Sequence, residues 1–202
     1  IVKTLSFGGI DISYRVTGRG PDVVLLHGFG EDGSIWKFQE AFLAPYFRLF
    51  IPDLPGSGRS PFLPMNSTPP AGIISSYADI IKKIIEKEAV QHCAHIGHSM
   101  GGYIPLAFAA KFEDRVGGIG LVHSTAYADT AEKREARSKG IAFVQKHGAQ
   151  EFLKQSIPNL FGDAFKAGQP EAVQELIDKA ANFSVAALVQ YYGAMMERPD
   201  ST

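Results

Sequence analysis

A serine with glycines two positions away on each side stands in the stretch Gly97-His98-Ser99-Met100-Gly101-Gly102-Tyr103. A serine hydroxyl is a poor nucleophile until a neighbouring base takes its proton, so such a residue must be held where a base and a substrate can both reach it. Small and apolar residues lead into the serine (Cys93, Ala94, Ile96, Gly97), and a helix-compatible run follows it (Ile104, Leu106, Ala107, Phe108, Ala109, Ala110). The stretch reads as a strand that turns directly into a helix. That turn strains the central residue and brings its flanks so close that only glycine fits beside them. The hydroxyl is pushed clear of the sheet, beside a helix N-terminus that favours developing negative charge. G-x-S-x-G by itself is a weak pattern, equally suited to an ordinary tight turn. Its setting between a strand and a helix is what points to chemistry.

Two other stretches hold residues of the right type. His27-Gly28-Phe29-Gly30 closes the apolar run Val23 to Leu26, and its paired glycines let the backbone turn with its amides free to face a pocket. Asp53 opens the punctuated loop Asp53-Leu54-Pro55-Gly56-Ser57-Gly58-Arg59-Ser60, where an aspartate suits accepting backbone hydrogen bonds and fixing the turn. Gly56 and Gly58 lack the Lys-Ser/Thr sequel of a phosphate loop, so nucleotide binding is not expected. His92, His95 and His98 are spaced three apart, which on a strand sends successive residues to opposite faces, and no metal site is expected from them. His27 is expected to shape its loop and His98 to pack. Trp36, Phe161, Phe165, Tyr191, Tyr192, Met195 and Met196 are candidates for an apolar pocket, with lid packing as the plainer role.

The elements that position these residues follow from the pattern. Alternating runs around Gly8-Gly9 predict a hairpin over Thr4 to Thr17. Val23 to Leu26 and Leu49 to Ile51 read as short buried strands. Ile35, Trp36, Phe38, Phe42 and Leu43 recur at helical spacing, and Met65 to Gly72 reads as a proline-rich loop. Ile74, Tyr77, Ile80, Ile81, Ile84 and Ile85 give the helix over Ile73 to Val90 an apolar stripe. Val116 to Val122 reads as another strand, with a composition suited to burial in a sheet interior. Strands alternating with helices predict an α/β fold, a mostly parallel sheet with helices on both faces. His27, Asp53, Ser99 and His123 all fall at carboxyl ends of strands, where ligands bind on such sheets. From Tyr127 onward only helical stretches are read, at Ala131 to His147, Glu151 to Phe161, Glu171 to Ala181 and Ser184 to Glu197. Residues 1–126 are therefore expected to form an α/β core, and 127–202 a helical lid inserted on it.

Composition narrows the classes of partner. Twenty basic against 21 acidic side chains give a net charge of -1, which does not suit nucleic acid or an anionic membrane surface. Cys93 is the single cysteine, so no disulfide framework exists within the chain, and in a buried strand it serves as a small apolar filler. No apolar run is long enough to span a bilayer and no signal peptide is visible, which favours a reducing, cytoplasmic setting.

Taken together, H-G-F-G at His27 to Gly30, D-L-P-G-S-G-R-S at Asp53 to Ser60 and G-H-S-M-G-G at Gly97 to Gly102 make the sequence resemble the α/β-hydrolase superfamily. The similarity is greatest to its lid-bearing esterase, lactonase and C–C-hydrolase branch. The resemblance implies Ser99 as nucleophile, with the backbone amides of Phe29 and Met100 as the oxyanion hole. It implies a small-molecule carbonyl substrate, an acyl-enzyme released by water, and no metal or organic cofactor. Gly28, His123 and Trp36 are the candidate substrate-binding residues. A serine at the elbow, not an aspartate, argues against the dehalogenases and epoxide hydrolases of this fold. The family places its acid and its histidine after two late strands that these 202 residues do not contain. The expectation is that both triad partners lie outside this chain and that Val116 to Val122 is left as an unpaired edge. A C-terminal fragment of the same protein is then an expected partner that completes the fold, and the chain alone is expected to be inactive. Acyl transfer, cofactor-free perhydrolysis and a non-catalytic ligand-binding role are the alternatives.

Overall fold

The computed structural model describes residues 1–66 and 68–202. Its centre is a six-stranded sheet of β1 (Val2–Phe7), β2 (Ile10–Gly18), β3 (Asp22–Leu26), β4 (Arg48–Pro52), β5 (Cys93–His98) and β6 (Val116–Val122). The strand order is β1-β2-β4-β3-β5-β6. The β1–β2 and β2–β4 pairs are antiparallel, whereas β3–β4, β3–β5 and β5–β6 are parallel. The hairpin turn uses Gly8 and Gly9, both with positive φ (60° and 86°), as a two-residue connection between twisted strands requires.

Alternation along the central strands separates two cores. Val24, Leu26 and Phe50 face the larger one, with the isoleucine stripe of α2 (Pro70–Lys87). Val23, Leu25, Leu49 and Ile51 face a smaller one beneath α1 (Lys37–Leu43), with Trp36. Helix α2 starts at a proline in its first turn, where the missing N–H costs nothing. Ile80, Ile81, Ile84 and Ile85 are at most 1% exposed, and burying each side chain contributes about 1.5–3 kcal/mol. After α3 (Tyr103–Lys111) and β6 the chain becomes helical: α4 (Ala131–His147), α5 (Ala149–Ser156), α6 (Asp163–Gly168), α7 (Pro170–Lys179) and α8 (Val185–Glu197). Leu153, Leu188 and Tyr191 of this layer join Leu26 and Tyr77 in one cluster, so the helical layer and the sheet share a core.

Polar ties hold the helical layer at several points. Asp129, fully buried, accepts from Arg137 and Arg198, while Arg198 also lies over the Tyr103 ring at 3.7 Å. At the opposite rim Lys179 donates to Ser34 Oγ at 2.7 Å and Lys37 pairs with Glu175 at 2.8 Å. Gln190 bridges the Met65 amide and the Leu63 carbonyl.

Several expectations need correction. Ile35 and Trp36 do not share one helix with Phe38, Phe42 and Leu43, and Phe38 and Phe42 are 71% and 73% exposed. A 3₁₀ turn over Gly33–Trp36 precedes α1 and, with three residues per turn, breaks the helical spacing read across Ile35 to Leu43. The stretch Met65 to Gly72 is not all loop, since α2 begins at Pro70; Ser67 within it lies outside the described residues. The short helix α6 was not anticipated. Val116 to Val122 is not buried in the sheet interior: β6 forms an edge, and Ile119, Leu121 and Val122 are exposed. The edge position agrees with the expectation drawn from the family resemblance.

Candidate functional site

Ser99 sits where β5 ends and a 3₁₀ turn over Ser99–Gly102 leads into α3. Its φ is +53°, in the left-handed region that non-glycine residues rarely occupy. Two close approaches hold it there. A side chain at Gly97 would overlap the Gly101 backbone, and one at Gly101 would overlap the carbonyls of Leu26 and His27. Glycine is therefore required at both positions by contact. Ser124 Oγ donates to the Ser99 carbonyl at 2.7 Å and ties the elbow to the segment after β6.

The turn after β3 lies directly against this elbow. A Cβ built on Gly28 would meet Ser99 Cβ at 3.0 Å and the His98 carbonyl at 3.1 Å. Among the described residues, neither the Phe29 nor the Met100 amide donates a backbone hydrogen bond outside its own helix or strand. The structure thus brings Gly28, the residue before Phe29, into contact with Ser99, the residue before Met100.

Glu31 was not singled out from the sequence. Its Oε2 accepts the Gly28 amide at 2.7 Å and lies 2.9 Å from His98 Nδ1. The side chains are 10% and 25% exposed. The hydrogen bond to Glu31 raises His98 above the usual histidine range, against burial, which acts in the opposite direction. The expectation that His98 merely packs is therefore corrected: it is paired across the elbow. The available signal was a carboxylate placed in a turn rich in free amides. His123, at the end of β6, presents its ring edge-on to His98 with centroids 6.1 Å apart. It is exposed and has a φ of +47°.

The remaining candidates separate into structural posts. His27 is fully buried; its Nε2 accepts the Leu54 amide at 3.0 Å and lies 2.8 Å from Ser57 Oγ. Its Nδ1 then carries the proton given to the Gly28 carbonyl at 2.9 Å. The ring locks the turn after β3 to the Asp53 loop. Asp53 accepts the Gly33 amide at 2.8 Å and the Arg59 amide at 2.9 Å. Trp36 is 6% exposed in the smaller core with Val23 and Leu25, the packing role and not the pocket role proposed for it. His95 and His98 do not converge. His95 packs on Phe108 with centroids 4.3 Å apart and contacts Cys93 Sγ, whereas His98 turns to Glu31. Burial pushes the Cys93 thiol up to about 12 and His95 down to about 4, so both stay neutral.

The C-terminal helical layer packs on the Phe29 side chain. Tyr192 stacks on it at 4.2 Å with a 15° interplanar angle, and Phe152 and Tyr191 meet it edge-on at 6.2 and 6.3 Å. Phe161 and Phe165 stack on each other at 5.2 Å. A groove of about 160 Å³ between α2 and α3, lined by Ile74, Tyr103, Ala107 and Arg198, does not reach Ser99. Among the described residues no helix is long and apolar enough to cross a membrane.

Comparison with known proteins gives a consistent picture. A family model described as the alpha/beta hydrolase fold matches residues 21–163. A pimeloyl-[acyl-carrier protein] methyl ester esterase from Vibrio vulnificus is 33% identical over 131 residues. That alignment covers 65% of this chain and 46% of the relative, so the chain spans less than half of that protein's length. A thermophilic esterase from Thermogutta terrifontis superposes with a TM-score of 0.86 at 30% identity, over 100% of this chain and 73% of that one. An enol-lactonase from Burkholderia xenovorans LB400 shares the fold, with a TM-score of 0.86 at 21% identity, over 98% of this chain and 75% of that one.

Proposed function

The chain belongs to the alpha/beta hydrolase fold family, and on that premise we propose that it carries the nucleophilic half of a serine hydrolase acting on an ester or lactone. Ser99 Oγ attacks the carbonyl carbon and its proton passes to a histidine base. The carbonyl π electrons move onto oxygen, and the resulting oxyanion is received by the amides of Phe29 and Met100. The tetrahedral intermediate collapses with loss of the alkoxide, which takes the proton back from the base. Water then attacks the acyl-enzyme by the same route and frees Ser99. Donors of this kind are each worth about 3–4 kcal/mol when placed at the oxyanion position.

The observation that carries this reading is the apposition of Ser99, held at a φ of +53°, to the Gly28–Phe29 turn. The base is proposed to be a histidine outside the 202 residues, oriented by an acid also outside them. Supporting this, the imidazole of His27 is fully bonded within its loops, His95 is buried against Phe108, and His98 is paired with Glu31. An ester is favoured over other carbonyl substrates because the Vibrio relative is named for a methyl ester and the Thermogutta neighbour is an esterase. The aromatic enclosure of Phe29 suits an apolar group on that ester.

Turnover of a series of p-nitrophenyl esters and simple lactones by the full-length protein tests the proposal. Wild type is expected to hydrolyse at least one class, and Ser99→Ala to lose at least about a thousandfold in kcat. Equal turnover by the Ser99→Ala variant would exclude this mechanism.

A further inference from the structure

A carboxylate stands close to the place where negative charge is proposed to develop. A methyl-sized probe at Gly28 would touch both Ser99 Cβ, at 3.0 Å, and Glu31 Oε2, at 3.1 Å. Little more than one atom's width therefore separates the nucleophile's side chain from this oxygen. An unbalanced negative charge there would oppose the oxyanion, and in a site screened from water that opposition is strong. His98, when protonated, supplies the balance: its Nδ1 lies 2.9 Å from the same oxygen.

The two partners also belong to different walls of the site. Glu31 follows the turn that carries Gly28 and Phe29, whereas His98 immediately precedes the nucleophile, 67 residues later in the chain. One carboxylate oxygen holds the Gly28 amide and His98 together. Occupying the Gly28 N–H fixes the orientation of that peptide and leaves the next amide, that of Phe29, without this acceptor. The groups that face His98 are Glu31 from the turn after β3 and His123 from the end of β6.

Resting on the reading of Ser99 as nucleophile, we propose that Glu31 and His98 form a charge-balanced latch that fixes the oxyanion-hole turn against the elbow and keeps its surroundings free of net negative charge. Both are positioning residues, since neither touches the reacting carbonyl. Glutamate alone would supply the acceptor but leave its charge beside the oxyanion. A neutral donor in place of His98 would supply the bond but not the compensation. The latch needs both the hydrogen bond and the opposite charge.

The test is a double-variant cycle in the full-length protein with an ester substrate, together with an NMR titration of the His98 ring. His98→Gln keeps a donor for Glu31 and removes the positive charge. Its kcat is expected to fall about 10- to 100-fold, with KM changed by less than about twofold. Glu31→Gln removes the charge that needs balancing and keeps an acceptor, so its loss is expected to be smaller, within about tenfold. Combining the two is expected to cost no more than Glu31→Gln alone, because no charge is then left uncompensated. In the titration, His98 is expected to lose its proton at lower pH in Glu31→Gln than in wild type, a readout independent of turnover and available from the isosteric variant. Multiplicative losses in the double variant, or a His98 titration unmoved by Glu31→Gln, would overturn the latch. A wild-type protein whose His98 titration shifts as expected but which hydrolyses no ester would instead overturn the nucleophile reading on which the latch rests.

Discussion

The ring of Phe29 lies face to face with that of Tyr192, centroids 4.2 Å apart and planes 15° from parallel. Phe29 belongs to the turn after β3, and its amide is the proposed oxyanion donor; Tyr192 belongs to α8. The helical layer therefore packs on the side chain of the residue whose backbone amide is the proposed oxyanion donor. Arg137 lies over the far partner, 5.8 Å from the Tyr192 ring, and Gly140 leaves room for that ring, since a Cβ there would meet Tyr192 Cε2 at 2.7 Å.

Removing the stack should loosen the donor without removing it. Stacked aromatic pairs are worth about 0.5–1.5 kcal/mol beyond their buried area, which corresponds to roughly two- to twelvefold. Tyr192→Leu is expected to lower kcat by that order while the fold is retained, and Tyr192→Phe to stay near wild type. Steady-state kinetics with a soluble ester separates them. Equal kcat for all three proteins would show that the helical layer does not position the turn.

The two glycines flanking the elbow at fixed spacing differ from others in the chain. A Cβ at Gly101 would run into the carbonyls of Leu26 and His27, neither of which can move without breaking β3. At Gly118, in β6, a Cβ would meet nothing within 4 Å. Gly101→Ala is expected to cost about 1–3 kcal/mol or to prevent folding, as overpacking does. Gly118→Ala is expected to be neutral or to stabilise by up to about 1 kcal/mol, because alanine restricts the unfolded chain. Urea denaturation of the two variants measures the contrast, and similar stabilities would contradict the contact geometry.

His95 should leave a signature in the acid limb of stability. It is fully buried, its Nδ1 has no hydrogen-bond partner among the described residues, and burial pulls it down to about 4. In the unfolded chain histidine titrates near about 6.5. Between those values the unfolded state binds the proton and the folded state does not, so stability falls as pH falls. The contribution is fully present above the unfolded value and is lost progressively towards about 4. His95→Leu is expected to flatten the dependence of unfolding free energy on pH across this window. An unchanged slope in chemical denaturation at several pH values would show that His95 does not carry it.

What could be read from the sequence was whatever a few neighbouring residues fix among themselves. The elbow was legible because Gly97, Ser99 and Gly101 constrain one another locally, and the stripe of α2 because six apolar residues repeat on one helical face. Glycines at positions 8 and 9 gave the hairpin for the same reason. The bonds that join separate stretches were not legible. Nothing near Glu31 in the chain announces His98, 67 residues away, and nothing near His27 announces Leu54 and Ser57. Trp36 looked like a pocket residue by type, yet the strand alternation of Val23 and Leu25 draws it into the smaller core. Phe38 and Phe42 had the right spacing but the wrong phase, because the preceding 3₁₀ turn is not visible as a pattern.

The claim on which the rest depends is that Ser99 is the nucleophile. Reaction of the full-length protein with a fluorophosphonate, followed by intact mass and peptide mapping, tests it most directly. A single adduct on Ser99, absent from the Ser99→Ala variant, is the expected result. A folded, ester-hydrolysing protein that labels at another serine, or not at all, would contradict it.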